Sequence, residues 1–98
     1  MKYCMLKDGA LLPVLGQGSW YLGERKDTRE AEGRALRAGI EAGMTLLDTA
    51  EMYGEGAAES LIGGILPYYK RQDLFLVSKV YPHNAGRRHI FHSCEESL

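Results

Sequence analysis

Two short β-type runs, residues 44–47 and 74–77, each break off on polar residues: Asp48 after the first, Ser78 and Lys79 after the second. A segment of helical rhythm lies between them, so the two runs read as neighbouring parallel strands of a βαβ unit. Parallel strands deliver their polar ends to the same edge of a sheet, and Tyr53 follows on the loop above Asp48. In parallel α/β proteins that edge, at the carboxyl ends of the strands, is where chemistry sits. A carboxylate, an ammonium and a phenol gathered there are the components of a proton-transfer site.

The rest of the chain supplies further elements for such a sheet. Residues 3–6 and 10–12 flank Lys7-Asp8-Gly9, and Asp-Gly between apolar runs predicts a hairpin closed by a type I′ turn. Residues 13–16 read as a short strand and 17–21 as the loop after it. A helix is expected over 28–42, with Asp27 and Glu30 as its capping box and Gly43 at C′. Glu30, Arg34, Arg37 and Glu41 form its polar face, and Ala31, Ala35, Leu36, Ala38, Ile40 and Ala42 cover the rest. Ala58, Leu61, Ile62, Ile65 and Leu66 keep helical spacing over 57–66, which Pro67 ends.

The run 74–77 fits a strand buried on both faces. A third helix opens near Arg87, with Ile90, Phe91, Cys94 and Leu98 as its apolar stripe. Glu95-Glu96-Ser97-Leu98 carries no glycine cap, proline or basic last turn, so a truncated piece of a larger protein is expected. Three strands each followed by a helix, right-handed by the usual rule, are a fraction of a closed parallel structure. A full eight-fold barrel takes about 250 residues. The expected fold is therefore α/β, a partial (β/α)8 TIM barrel in one incomplete segment over 1–98. It consists of the hairpin and the first three βα units, with at least one sheet edge open.

Composition narrows the function classes. The net charge of −1 gives no basis for nucleic acid or an anionic membrane as partner. No apolar run approaches the roughly 18 residues of a membrane helix, and residues 1–8 lack the apolar core of a signal peptide. Cys4 and Cys94 stand at opposite ends without motif spacing, which fits reduced thiols and a cytoplasmic location.

Several motifs together carry a family resemblance. Asp48-Thr49-Ala50-Glu51-Met52-Tyr53-Gly54 resembles the D-T-A-x-x-Y-G signature of the aldo-keto reductases. Gly16-Gln17-Gly18-Ser19-Trp20 is similar to that family's G-x-G-T-W, with serine in place of threonine, and Ser78-Lys79-Val80 to its lysine segment after the third strand. The Asp8-Gly9 hairpin resembles the one that plugs the bottom of these barrels, and Cys94-Glu95-Glu96-Ser97-Leu98 the helix before the fourth strand.

That resemblance implies reduction of aldehydes or ketones to alcohols with NADPH, or NADH. Tyr53 would donate a proton to the carbonyl oxygen as the nicotinamide delivers hydride, with Asp48 and Lys79 completing the catalytic set. Gly18, Ser19, Trp20 and Asp48 would contact the cofactor, Trp20 and Tyr53 would wall the substrate pocket, and no metal is implied. The chemistry is consistent. A free phenol titrates near ~10 and is a poor acid at neutral pH, and a nearby ammonium shifts it towards usefulness. The family's fourth catalytic residue is a histidine at the end of the fourth strand, and His83, His89 and His92 match no such position. The loops that select substrate lie mostly past Leu98, so the resemblance leaves the carbonyl compound open.

Each feature also has a plainer reading. Asp48 alone is more often a helix-capping or loop carboxylate, and Tyr53 and Lys79 in register tip that balance. Trp20 alone is more often a packing residue, and its place after Gly18 at a strand exit favours a pocket wall. Gly54-Glu55-Gly56-Ala57-Ala58-Glu59 imitates half a dinucleotide fingerprint but lacks the third glycine and a preceding strand, so Gly54 and Gly56 simply free the loop to turn. His89 and His92 could hold a metal with Cys94 or Glu96, but are more commonly surface residues. The alternative function is a non-catalytic remnant, stable only through self-association across its open sheet edge or with a partner.

Overall fold

The computed structural model describes residues 1–98 as five strands and three α-helices joined by tight turns. Strands β1 (Tyr3–Met5) and β2 (Leu11–Pro13) pair antiparallel as expected, with Tyr3 opposite Pro13. Their turn is not type I′, because only Gly9 takes a positive φ, of 89°. The Ala10 N–H donates to Asp8 Oδ1 at 2.9 Å, which holds Asp8 in ordinary backbone and leaves the left-handed step to glycine. Leu6 N–H to Ala10 O at 2.8 Å closes the longer loop.

Strands β3 (Gln17–Gly18), β4 (Leu46–Asp48) and β5 (Phe75–Val77) form one parallel sheet in that order. Gly18 pairs with Asp48, and Asp48 with Val77. The second and third strands fall on the expected runs, but the first is displaced from 13–16 to Gln17–Gly18. Pro13 belongs to the hairpin, Val14 and Leu15 are exposed in the connection, and Gln17 has polar partners that favour it on the sheet. Its Nε2 donates to Leu36 O at 3.0 Å and to Met44 O at 3.1 Å, tying the following helix to the base of β4.

That helix, α1 (Lys26–Glu41), begins two residues before the expected start, and the capping box does not form. Asp27 instead pairs with Arg25 at 2.6 Å, and Glu30 with Arg34 at 3.0 Å. The C-terminal end is as expected. Gly43 has φ 102°, its N–H donates to Ile40 O at 2.9 Å, and Met44 N–H to Gly39 O at 2.9 Å, a complete Schellman closure. The buried face is not the alanine face. Gly33, Leu36, Gly39 and Ile40 face inward, while Ala31, Ala35, Ala38 and Ala42 are exposed. Gly39 lets the helix approach Gln17 of the sheet more closely than alanine would allow.

Helix α2 (Ala57–Ile65) buries Ala58, Leu61, Ile62 and Ile65, and a turn through Pro67 ends it. With Leu36, Ile40, Leu47 and Leu74 these large residues make one core between the two helices and the outer face of the sheet. Each such side chain contributes about 1.5–3 kcal/mol on burial. Along the strands, Gln17, Leu47 and Leu76 share the helix-facing side, and Gly18, Asp48 and Val77 the opposite one. Nothing covers that opposite face, and β5 is an edge strand. Its residues are therefore half-buried, not enclosed on both faces as expected.

Helix α3 (Arg87–Ser97) departs most from its reading. Ile90, Phe91, Cys94 and Leu98 are exposed, Leu98 at 99%, and the helix buries only Ser93. It rests on α2 through a polar contact, Ser97 Oγ donating to Glu59 Oε1 at 3.0 Å. The whole is a slab of 41 × 38 × 20 Å with a radius of gyration of 14.0 Å, looser than the ~12.6 Å of a compact domain this long. No helix is long and apolar enough to cross a membrane.

Candidate active site

The sheet sets the floor of the site. Ser19, buried directly after β3, donates both its N–H and its Oγ to the Asp48 carbonyl, at 3.0 and 2.9 Å. The polypeptide after β4 stays beside the polypeptide after β5. Thr49 N–H donates to Val77 O at 2.8 Å and Glu51 N–H to Lys79 O at 3.1 Å. That continued pairing places Lys79 next to Asp48 although a whole helix separates them in sequence.

The Lys79 ammonium is the hub. Nζ lies 2.8 Å from both Asp48 carboxylate oxygens, 2.9 Å from Thr49 O and 3.5 Å from the Tyr53 hydroxyl. Partial burial pulls the Lys79 pKa down, but the hydrogen bonds and charge of Asp48 and Tyr53 outweigh it, and the group sits above the ordinary lysine value. Both partners of the ion pair are 45% exposed, so it contributes about 1 kcal/mol or less to stability. Its consequence is geometric: a fixed positive charge beside a phenol.

Tyr53 is aimed by the turn that follows it. Gly54, Glu55 and Gly56 take φ of 59°, 54° and 99°, a left-handed path that swings the loop into α2. Gly54 also has a packing reason, since a Cβ there would stand 2.7 Å from Glu24 Cγ. Both glycines thus do the turning expected of them. Trp20 lies 6.1 Å from Tyr53 ring to ring, with planes 24° apart, and 4.7 Å from Tyr21 at 11°. Tyr21, Trp20 and Tyr53 make one aromatic wall, with Trp20 64% exposed and outside the core. Nothing lies within 4 Å of a Cβ built on Gly18. That leaves open floor beside Asp48.

The structure brings Asp48, Tyr53 and Lys79 into one hydrogen-bonded group, with Ser19 beneath Asp48 and Trp20 stacked on Tyr53. Gly18 lies level with Asp48 in the sheet. The histidines are elsewhere. His83 packs on Tyr81 at 4.7 Å, His92 sits 3.9 Å from Glu96 on the exposed side of α3, and no cluster is arranged to hold a metal. Sequence reasoning gave no role to Tyr21, to the Thr49 carbonyl or to Glu51. Glu51 accepts a 2.6 Å hydrogen bond from Tyr81 N–H, and that bond first, with Asn84 and Ser93 after it, holds its carboxyl below the usual range despite partial burial. Its position between Asp48 and Tyr53, facing a strand exit, was the available signal.

Known proteins share this sequence pattern and backbone. The sequence model of the Aldo/keto reductase family matches residues 14–98. Methylglyoxal reductase YeaE of Escherichia coli is 55% identical over 87 residues, which is 89% of this chain and 30% of that protein. An aldo-keto reductase of Mycobacterium avium is 36% identical over 95 residues, again 30% of its length. Among solved structures, an aldo-keto reductase from Klebsiella pneumoniae in complex with NADPH superposes with a TM-score of 0.87 at 44% identity, over 100% of this chain and 35% of that one. A thermostable aldo-keto reductase bound to the inhibitor epalrestat gives 0.94 at 39% identity, over 100% and 38%.

The chain thus spans roughly a third of the length of these relatives, and its hairpin and three βα units are an unclosed part of their (β/α)8 barrel. On its sequence and on its backbone alike, the chain belongs to the aldo/keto reductase family.

Proposed function

We propose that the chain carries the acid–base part of a carbonyl reductase site, converting an aldehyde or ketone to an alcohol. The observation that carries this reading is the Lys79 ammonium bound at once to Asp48 and to the Tyr53 hydroxyl. The carbonyl oxygen docks at the Tyr53 hydroxyl. As negative charge builds on that oxygen, the phenolic O–H bond breaks and the proton passes to it. The phenolate left behind is stabilised by Lys79, which Asp48 keeps charged and aimed, and solvent returns the proton. Trp20 and Tyr53 wall the substrate side and shed water from it.

NADPH, or NADH, supplies the hydride when bound. Gly18, Trp20 and Asp48 would hold the nicotinamide end, because Gly18 leaves room and the aromatic wall offers a face. Ser19, expected there too, is buried and would act only by fixing the Asp48 carbonyl. Support for NADPH comes from the Klebsiella relative in complex with it. Support for a small carbonyl compound comes from the E. coli relative, named for methylglyoxal, so a 2-oxoaldehyde is the first substrate to test. Two exposed free thiols, Cys4 and Cys94, fit a cytoplasmic setting.

The test is a chimera in which this chain replaces the matching portion of the E. coli methylglyoxal reductase, so that the barrel closes. Tyr53→Phe keeps the ring and removes the proton. Reduction should slow by roughly 10²–10⁴-fold while NADPH affinity stays within a few fold. A parent-like rate would place the acid elsewhere.

A second reading is a non-catalytic remnant that is stable only when a partner or another copy covers it. The uncovered sheet face and the exposed Phe91 and Leu98 favour it. The intact mass of the native protein separates the two readings, since the reductase extends past Leu98 and the remnant does not.

A further inference from the structure

We propose that Glu51 is a positioning residue that sets Lys79 in register with Asp48 and Tyr53. The kinetic half of this rests on the proposed function above; the structural half does not.

Glu51 lies on the loop between Asp48 and Tyr53 and grips the polypeptide after β5 at three points. Its N–H donates to the Lys79 carbonyl at 3.1 Å. Its Oε1 accepts from Tyr81 N–H at 2.6 Å and from Asn84 Nδ2 at 3.2 Å. The first two bonds bracket Lys79 and Val80 from both sides. In a parallel ladder the next rung would run from Tyr81 N–H to a backbone carbonyl of the neighbouring strand. Here a side-chain carboxylate takes that rung, so the register continues to Tyr81 while the main chain after Glu51 is free to turn towards Tyr53. The bond to an ionised acceptor is short and about twice as strong as a neutral one.

The geometry needs such a clamp. Lys79 reaches its acceptors through a flexible four-carbon stem, so the place of its backbone decides whether Nζ can meet Asp48, Thr49 O and Tyr53 together. The span between Asp48 and Tyr53 has only Glu51 as an ionisable side chain. It thus connects the phenol's loop and the ammonium's loop directly, without a hydrogen bond to either functional atom.

Three substitutions test this in the chimera, with amide hydrogen exchange measured there and on the full 98-residue chain. Glu51→Ala removes the acceptor; kcat should fall about 10- to 100-fold, the scale of an ångström-level misplacement, with aldehyde KM and NADPH affinity within about threefold. Glu51→Gln retains an acceptor oxygen and should recover most of that loss. Glu51→Asp keeps the charge but withdraws the acceptor by one methylene, and should lower kcat even if the alanine variant misfolds. Tyr81 amide exchange should quicken in Glu51→Ala and stay near parent in Glu51→Gln.

Parent-like kcat in both Glu51→Ala and Glu51→Asp, failure of Glu51→Gln to rescue, or unchanged Tyr81 exchange overturns the proposal. If Tyr53→Phe reduces at the parent rate, the proposed chemistry falls, and Tyr81 exchange alone decides the role of Glu51.

Discussion

Gly39 of α1 lies so close to Gln17 of β3 that one added carbon would overlap the Gln17 amide. That amide is committed to Leu36 O and Met44 O, so relief requires breaking at least one of those bonds. Gly39→Ala should therefore destabilise by about 1–3 kcal/mol through overpacking, against the nearly 1 kcal/mol that alanine's helix propensity returns. Urea denaturation of the chimera reads the balance. A midpoint at or above the parent's would mean that Gln17 swings away freely.

Gly63 and Gly64 predict the opposite sign. Both lie inside α2 on its exposed side, with nothing within 4 Å of an added Cβ and no positive φ. Replacing either by alanine should stabilise by about 0.5–1 kcal/mol, largely by narrowing the unfolded ensemble. The denaturation midpoint should rise in each single mutant and further in the double.

The Glu51 clamp is pH-dependent in a definite direction. The Tyr81 N–H bond, then Asn84, Ser93 and the charge of His83, lower its pKa below the ordinary 4.5. A depressed carboxyl contributes stability that is present above its unfolded value and is lost as pH falls through the folded one. The melting-temperature gap between parent and Glu51→Gln should thus be largest near neutrality and shrink below about pH 4.5. A gap that widens with acid would contradict the assignment.

Lys79 behaves in reverse. Its pKa is raised above the ordinary 10.5, opposing burial being outweighed by Asp48 and Tyr53. Its stabilisation is fully present below the unfolded value and fades only as pH climbs through the folded one. Lys79→Met should cost little stability at neutrality, close that gap only in strong alkali, slow carbonyl reduction in the chimera and flatten its pH profile.

Isolated, the 98-residue chain should self-associate and reduce carbonyls poorly. Only 16 of its 98 residues are buried, and both sheet edges and one sheet face stand open. Sedimentation velocity should show oligomers or aggregates, and a monodisperse monomer would contradict this.

Local signals gave two of the three parallel strands, α2 and the Asp48–Tyr53–Lys79 group, because apolar runs ending on polar residues mark strand exits directly. What stayed hidden depended on partners distant in sequence. Gln17 looks like a loop residue until the carbonyls of Leu36 and Met44 are near it. Gly39 looks like a helix defect until the sheet lies against it, and Gly33 until α2 does. Asp27 failed as a cap because Arg25 competes for its carboxylate. The stripe Ile90, Phe91, Cys94 and Leu98 is amphipathic in pattern, yet no apolar surface meets it, so α3 turns Ser93 and Ser97 inward.

One strand–helix–strand unit separates Asp48 from Lys79, and Tyr53 lies within it. The carboxylate, the phenol and the ammonium are therefore inherited together. A recombination crossing before Leu46 or after Asn84 carries the acid, its charged partner and the Glu51 clamp into a new barrel as one cassette. A crossing inside α2 would leave Tyr53 facing a lysine from a foreign parent.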